Sequence, residues 1–283
     1  MKPNPTRILQ RLLILGAAWL LTPNALAFQA GWRQMNVAGP TPAAAATTVA
    51  LYYPTQAPAR AIPMGPFTVN VAIHGAPEPT VKGLIVLSHG TGGSELGHTS
   101  LAEALARVLG HSAGGYTVLA LAGGQADLSR ITTHCQTQRA DDPIFCDTRA
   151  MSPTASAAPA LAEVAPQPVA DPRVRAVVAM APLGVMFTAA SLASVRTPVL
   201  VYEAQNDRWL VPRFHAAWIA QNLPGAELRR VANAWHFAFM DTPSMAIQSD
   251  DGDIRADPPG FERAAFLKQL AIELPAYFDQ ALR

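Results

Sequence analysis

Three short, nearly continuous apolar runs constrain this chain more than any other feature: Leu84-Ile85-Val86-Leu87, Val174 to Met180 and Val199 to Tyr202. A strand with one face in water alternates apolar and polar residues, whereas a strand covered on both faces does not. Helical patterns separate the runs, so they read as parallel strands joined by helices. The expected architecture is one α/β domain, with a mainly parallel central sheet and helices on both faces. A length of 283 residues suffices for one large domain or two small ones. No repeat of 20–50 residues is visible.

Around this core the local signals are weaker. Phe67, Val69, Val71 and Ile73 alternate with smaller or polar residues, the period of a strand buried on one face. Val49 to Tyr53 reads as a short strand stopped by Pro54, after a Pro- and Ala-rich lead-in over 28–48. Ser100-Leu-Ala-Glu103 has the form of a capping box opening a helix, and Ala113 to Ala122 reads as a helix stopped by Gly123-Gly124. Leu228 to Val231 is a last short strand, and Phe261 to Leu274 a closing helix broken at Pro275. Residues 126–170 read as an irregular insert.

Only 14% of residues are charged, against about 25% in an average globular chain. Lys+Arg 21 against Asp+Glu 20 leaves no basic surplus with which to grip nucleic acid. Lys2, Arg7 and Arg11 precede an apolar run, Leu12 to Leu21, too short to span a bilayer. Asn24-Ala25-Leu26-Ala27 follows it. The segment 1–27 therefore reads as a secretory signal, which leaves 28–283 as an exported, periplasmic or secreted domain with no membrane span. In an oxidising compartment Cys135 and Cys146 are expected to form a disulfide, with two free thiols as the alternative. No metal site is expected, because neither cysteine has a neighbouring His or a second pair at ligand spacing.

The chemistry is concentrated at Gly110-His111-Ser112-Ala113-Gly114, a G-x-S-x-G pentapeptide between an apolar stub and a helix. Glycines two residues either side of a serine allow a sharp strand-to-helix turn that lifts the hydroxyl above the sheet. The Ala113 N–H then opens a helix and points at a developing oxyanion. His89-Gly90-Thr91-Gly92-Gly93 would supply the second donor, the Thr91 N–H. A serine needs a base and an orienting acid, in the chain order Ser, Asp or Glu, His. Asp207 follows the strand Val199 to Tyr202, where the groups of open α/β sheets gather. Glu203 competes but continues the strand itself. Among seven histidines, His236 lies after the last short strand, where the base belongs. His215 is read as a half-exposed packing residue on an amphipathic helix, and His134 precedes every acid candidate. Trp209, Trp235, Phe237, Phe239, Met186 and Phe187 are candidates for an apolar acyl pocket or simply for the core. Asp250-Asp251-Gly252-Asp253 lacks calcium-loop spacing and reads as a solvated acidic turn. Neither a Walker loop nor a dinucleotide fingerprint is present, so no cofactor is implied.

The sequence resembles the α/β-hydrolases, and within them the secreted bacterial proteins labelled predicted dienelactone hydrolases, which are related to platelet-activating-factor acetylhydrolases. The matching stretches are LYYPT at 51–55, GLIVLSHGTGGSELGHTSLAEALA at 83–106 and GHSAGGYTVLALAGG at 110–124. VRAVVAMAPLG at 174–184, TPVLVYEAQNDRWLVP at 197–212 and AWHFAF at 234–239 follow in the family's order. The resemblance implies a Ser112–Asp207–His236 triad, an oxyanion hole from Thr91 and Ala113, and cofactor-free hydrolysis of a small carboxylic ester. True dienelactone hydrolases use a cysteine nucleophile, and this elbow carries serine.

One departure affects the fold. Ala104 to Arg107 run directly into Val108-Leu109-Gly110, where the family has a further strand and helix, so one strand-helix crossover is expected to be missing. A direct connection steps the opposite way across the sheet. Because crossovers are right-handed in about 98% of cases, it should carry the 100–107 helix to the opposite sheet face. Either that helix unwinds early and a shortened elbow strand still pairs, or the site forms incompletely. The second outcome would make the chain a catalytically impaired hydrolase remnant rather than an esterase.

Overall fold

The computed structural model describes residues 28–39, 41, 45–79, 86–91, 93–104, 109–147 and 170–281. The segment 1–27, the start of the first apolar run, the 107–108 junction and residues 148–169 of the 126–170 insert lie outside them.

Five parallel strands form the central sheet: β5 (Leu87–Ser88), β6 (Leu109–His111), β7 (Val177–Met180), β8 (Val199–Ala204) and β9 (Glu227–Val231), side by side in that order. Alternate residues serve opposite faces. Val178, Met180, Leu200 and Tyr202 pack on one side, under helices α1 (Thr99–Ala104) and α7 (Arg263–Ala281). Val177, Ala179, Val199 and Val201 pack on the other, under α2 (Ala113–Leu121), α5 (Ala189–Ser194) and α6 (Ala216–Asn222). Two apolar faces on the same strands explain why the runs show no alternation. The molecule is an α/β protein with the sheet-and-helix layering of the α/β-hydrolase fold.

A second sheet precedes this core, in the order β2 (Thr47–Thr55), β1 (Gln29–Val37), β4 (Phe67–Ile73), β3 (Arg60–Met64). Strand β4 buries Phe67, Val69 and Val71 and exposes Thr68 and Asn70, as its alternation requires. The lead-in is not irregular, because β1 occupies it, paired along its whole length with β2. Pro54 does not stop β2, since a proline on an edge strand can leave its missing N–H facing away from the ladder. Likewise Pro275 lies inside α7. Leu270, Leu274 and Phe278 are all buried on the sheet side of that helix, and burying such side chains contributes about 1.5–3 kcal/mol each. That outweighs the roughly 3 kcal/mol a mid-helix proline costs.

The expectation that a right-handed connection carries the 100–107 helix to the opposite sheet face fails. The connections β6–α2–β7, β7–α5–β8 and β8–α6–β9 step one way across the sheet with helices on one face. The step from β5 to β6 runs in the same direction, yet α1 lies on the other face against α7, so this connection has the opposite hand. Its packing accounts for the placement. Leu101 is fully buried against the α7 side, and the Thr99 and Ser100 hydroxyls and the Ser100 N–H all donate to Asp241. The helix begins at Thr99, one residue ahead of the expected Ser100 cap, and Asp241 satisfies its start. Strand β6 is short, at three residues, but pairs with both β5 and β7. Among the described residues no strand lies beyond β5.

The described part of the cysteine-containing insert, 126–147, is more ordered than its sequence suggests. It forms α3 (Ser129–Thr137) and α4 (Pro143–Asp147), closed into a hairpin by a Cys135–Cys146 disulfide. Pairing residues 11 apart removes loop entropy from the unfolded chain, an effect of roughly 3 kcal/mol.

Candidate active site

The elbow owes its shape to glycine. A Cβ at Gly110 would sit 2.1 Å from the Gly114 carbonyl oxygen, and one at Gly114 would sit 1.9 Å from that of Ser88. Only glycines let β6 reverse into α2 this tightly. Ser112, between them, is held at φ 58°, a conformation costing a non-glycine residue about 1–3 kcal/mol. Three backbone bonds hold it there: its N–H donates to Met180 O at 3.0 Å, and its carbonyl accepts from Leu183 and Tyr116 at 3.0 and 3.3 Å.

Ser112 Oγ lies 3.0 Å from His236 Nε2, and His236 Nδ1 lies 2.8 Å from Asp207 Oδ2. Both His236 and Asp207 are buried. The other Asp207 oxygen, Oδ1, accepts the Trp209 and Leu210 N–H groups at 2.9 and 2.8 Å, which fixes the rotation of the carboxylate. Acid and base loops are also tied to each other, because Gln205 and Asn206 donate backbone bonds to Val231 and Ala234. Glu203 stays within β8 and pairs with Arg230.

His236 sits between two rings, stacked on Trp209 and 4.8 Å from His111, centroid to centroid. His111 Nε2–H donates to the His236 carbonyl at 2.9 Å, and His98 Nδ1–H donates to that of Phe239. Burial holds both His98 and His111 below the usual imidazole range, and for His111 the nearby rings of His236 and His98 act in the same direction. The ring beneath His236 is therefore neutral, and an imidazolium can form on His236 without a cation beside it.

The serine opens into a cavity of about 440 Å³, within the range of small-molecule sites. Thr91 and Ala113 both line it. Ala113 begins α2, so its N–H has no intrahelical partner. Gly90 passes so close that a Cβ there would lie 2.8 Å from Ser112 Cβ, which brings the Thr91 backbone beside the serine. Trp209 and Phe237 line the cavity as well. Trp235 does not; it lies under the Arg208 guanidinium. Met186, Phe187 and Phe239 belong to the core.

Sequence reasoning missed several wall residues: Phe67 from β4, Phe145 from α4, and Ile247 and Ile254 beside a small hairpin, β10 (Gln248–Ser249) and β11 (Gly252–Asp253). The hairpin corrects the reading of a wholly solvated turn, since the Asp251 side chain is nearly inaccessible and pairs with Arg208. His215, expected to be half-exposed, is fully buried.

His215, His134 and Asp142 form the one group among the described residues with metal-ligand donors in reach of one another. The Gly184 N–H donates to His215 Nδ1 at 3.1 Å, so Nε2 of that ring must carry the proton it directs at Asp142. A metal at Nε2 would require an imidazolate, and a ligating imidazole ordinarily donates from its other nitrogen rather than accepting there. The cluster is a hydrogen-bonded one and does not fit a metal.

No family model and no curated protein matches this chain. Among solved structures, it is similar to a predicted CIB-like hydrolase from Thermoplasma acidophilum, with 12% identity and a TM-score of 0.37. The match covers 73% of this chain and 90% of that one.

Proposed function

We propose that the protein is a serine hydrolase of carboxylic esters. One observation carries the reading: a hydroxyl on a glycine-built elbow, hydrogen-bonded to an imidazole that is itself bonded to a rotationally fixed, buried carboxylate.

The reaction follows from the geometry. Ser112 Oγ attacks the ester carbonyl carbon as His236 Nε2 takes its proton, and Asp207 stabilises the resulting imidazolium through Nδ1–H. The Thr91 and Ala113 N–H groups stabilise the tetrahedral oxyanion. Collapse of that intermediate expels the alcohol, which takes the proton from Nε2 and leaves an acyl group on Ser112. Water, deprotonated by the same imidazole, then releases the acid. The cavity's size and its walls of Phe67, Phe145 and Phe237 suit a modest, largely apolar acyl group. The motifs resemble those of predicted dienelactone hydrolases, but the serine leaves the substrate to be set by the cavity rather than by that label. The basic, then apolar, then Ala-x-Ala start of the chain and the disulfide support export.

Hydrolysis of p-nitrophenyl acetate and butyrate by the purified protein, against Ser112→Ala, tests the reading. Wild-type turnover at least about 1,000-fold above the variant is expected. Equal rates would instead leave a non-catalytic hydrolase fold.

A further inference from the structure

The His134–Asp142–His215 cluster plays no part in the chemistry above, yet Asp142 and His215 are the most deeply buried polar side chains among the described residues. Asp142 is fully inaccessible and lies in the turn between α3 and α4, inside the loop closed by Cys135–Cys146. Its Oδ2 accepts Nε2–H from His134 at 2.8 Å and from His215 at 2.9 Å. Its Oδ1 faces the Val211 N–H at 3.4 Å.

The identity of those donors decides the argument. Val211 and His215 both belong to the segment that leaves Asp207. The loop's successive amides are shared out: those of Trp209 and Leu210 go to Asp207, and that of Val211 goes to Asp142. Four residues on, His215 returns to the same carboxylate. Through its other nitrogen His215 accepts from Gly184, the neighbour of Leu183, whose N–H holds the Ser112 carbonyl. One buried carboxylate thus pins the acid-bearing segment at two points and joins it, by consecutive residues, to the nucleophile elbow. A further contact between Asp141 and Arg213 is exposed and contributes little.

We propose that Asp142 is a positioning residue for this site: delivered by the disulfide-closed hairpin, it fixes the 207–215 segment so that Asp207 meets His236 in register with Ser112. The inference rests on the esterase reading for its kinetic consequence, but its structural consequence can be measured without turnover.

Asp142→Asn cannot satisfy the cluster. With its oxygen toward the two histidines, its NH2 faces the Val211 N–H. In the reverse orientation it faces His215 Nε2–H, which cannot change tautomer without losing Gly184. Val211→Pro is the complementary variant, because it breaks the Val211 tie by replacing the amide proton with a ring methylene directed at Asp142 Oδ1, while the charge of the carboxylate and both rings is unchanged. The residue sits at φ −52°, within proline's range.

Both variants should lower kcat on p-nitrophenyl butyrate by about tenfold or more while KM stays within about twofold, since a misplacement near 1 Å can cost about 100-fold. Both should also shift or broaden the downfield proton resonance of His236 Nδ1–H, identified by its loss in Asp207→Asn. A purely structural role for Asp142 would lower the melting temperature and leave kcat and that resonance at wild-type values. Such a result would overturn the proposal. If Asp142→Asn does not fold, Val211→Pro decides alone. If the wild type hydrolyses no ester, the functional reading fails, while the resonance comparison still decides this inference.

Discussion

Replacing Asp207 with asparagine tests the proposed mechanism at its least obvious point. The two amides on Oδ1 dictate how the new side chain must sit. Turning the NH2 toward the Trp209 and Leu210 N–H groups would leave two buried donors facing donors, at about 1–3 kcal/mol each. The asparagine oxygen therefore keeps the Oδ1 position and the NH2 points at His236 Nδ1. That nitrogen must then accept, so the proton moves to Nε2, which faces Ser112 Oγ at 3.0 Å. The imidazole becomes a donor to the nucleophile and can no longer take its proton. A wrong tautomer of this kind costs about 10⁴ in kcat, or about 5 kcal/mol of transition-state stabilisation. Stability should hardly change, because every hydrogen bond retains a partner. The assay is p-nitrophenyl butyrate hydrolysis alongside a thermal melt. Activity within tenfold of wild type, in a variant that melts normally, would refute the assignment of Asp207 as the orienting acid.

Two further outcomes follow from the geometry. Gly114→Ala forces its Cβ to within 1.9 Å of the Ser88 carbonyl oxygen, a backbone atom that cannot move aside; the expected result is loss of soluble, cooperatively melting protein, seen by circular dichroism. The pH dependence of stability between pH 5.5 and 7.5 should come from His98, His111 and His215. Their folded pKa values lie below 6.5 because burial disfavours the cation. The unfolded chain therefore takes up protons that the folded one refuses, and stability that is complete above about pH 7 falls as pH drops through 6.5. Asp251, its carboxyl pushed up chiefly by burial, acts in the opposite direction. The urea midpoint should nevertheless be lower at pH 5.5 than at pH 7.5. The difference should shrink in His111→Gln, whose longer side chain puts an amide N–H donor at the Nε2 position for the His236 carbonyl. A difference undiminished in that variant would argue against the neutral ring beneath His236.

The sequence by itself determined whatever is encoded over a few neighbouring residues. The apolar runs at 174–180 and 199–202 are strands covered on both faces, because no face is left to wet. The first run instead ends in β5, at the edge of the described sheet with Val86 exposed, and is not the central covered strand expected. The Gly110-x-Ser112-x-Gly114 spacing specifies a turn that no larger residue could make. The order of Ser112, Asp207 and His236 along the chain matches the order in which parallel strands deliver their carboxyl ends.

Tertiary structure decided what depends on a partner far away in sequence. Strand β1, QAGWRQMNV, was illegible because it lacks a clean alternation of apolar and polar residues and gains its strand form from pairing with β2. The α7 helix continues through Pro275 because its buried side chains hold both halves against the sheet. Helix α1 takes the unexpected face because Asp241, more than a hundred residues later, meets its first turn. The full burial of His215, read as half-exposed, and of Asp142 was not legible, because a polar side chain gives no sign of burial until its partners are known. Burying a carboxylate costs several kcal/mol unless donors meet it, and the donors here come from two separate segments, one around His134 and one spanning Val211 and His215. Periodicity and spacing are properties of adjacent residues and can be read along a line, whereas the satisfaction of a buried charge is fixed only when the chain has closed around it.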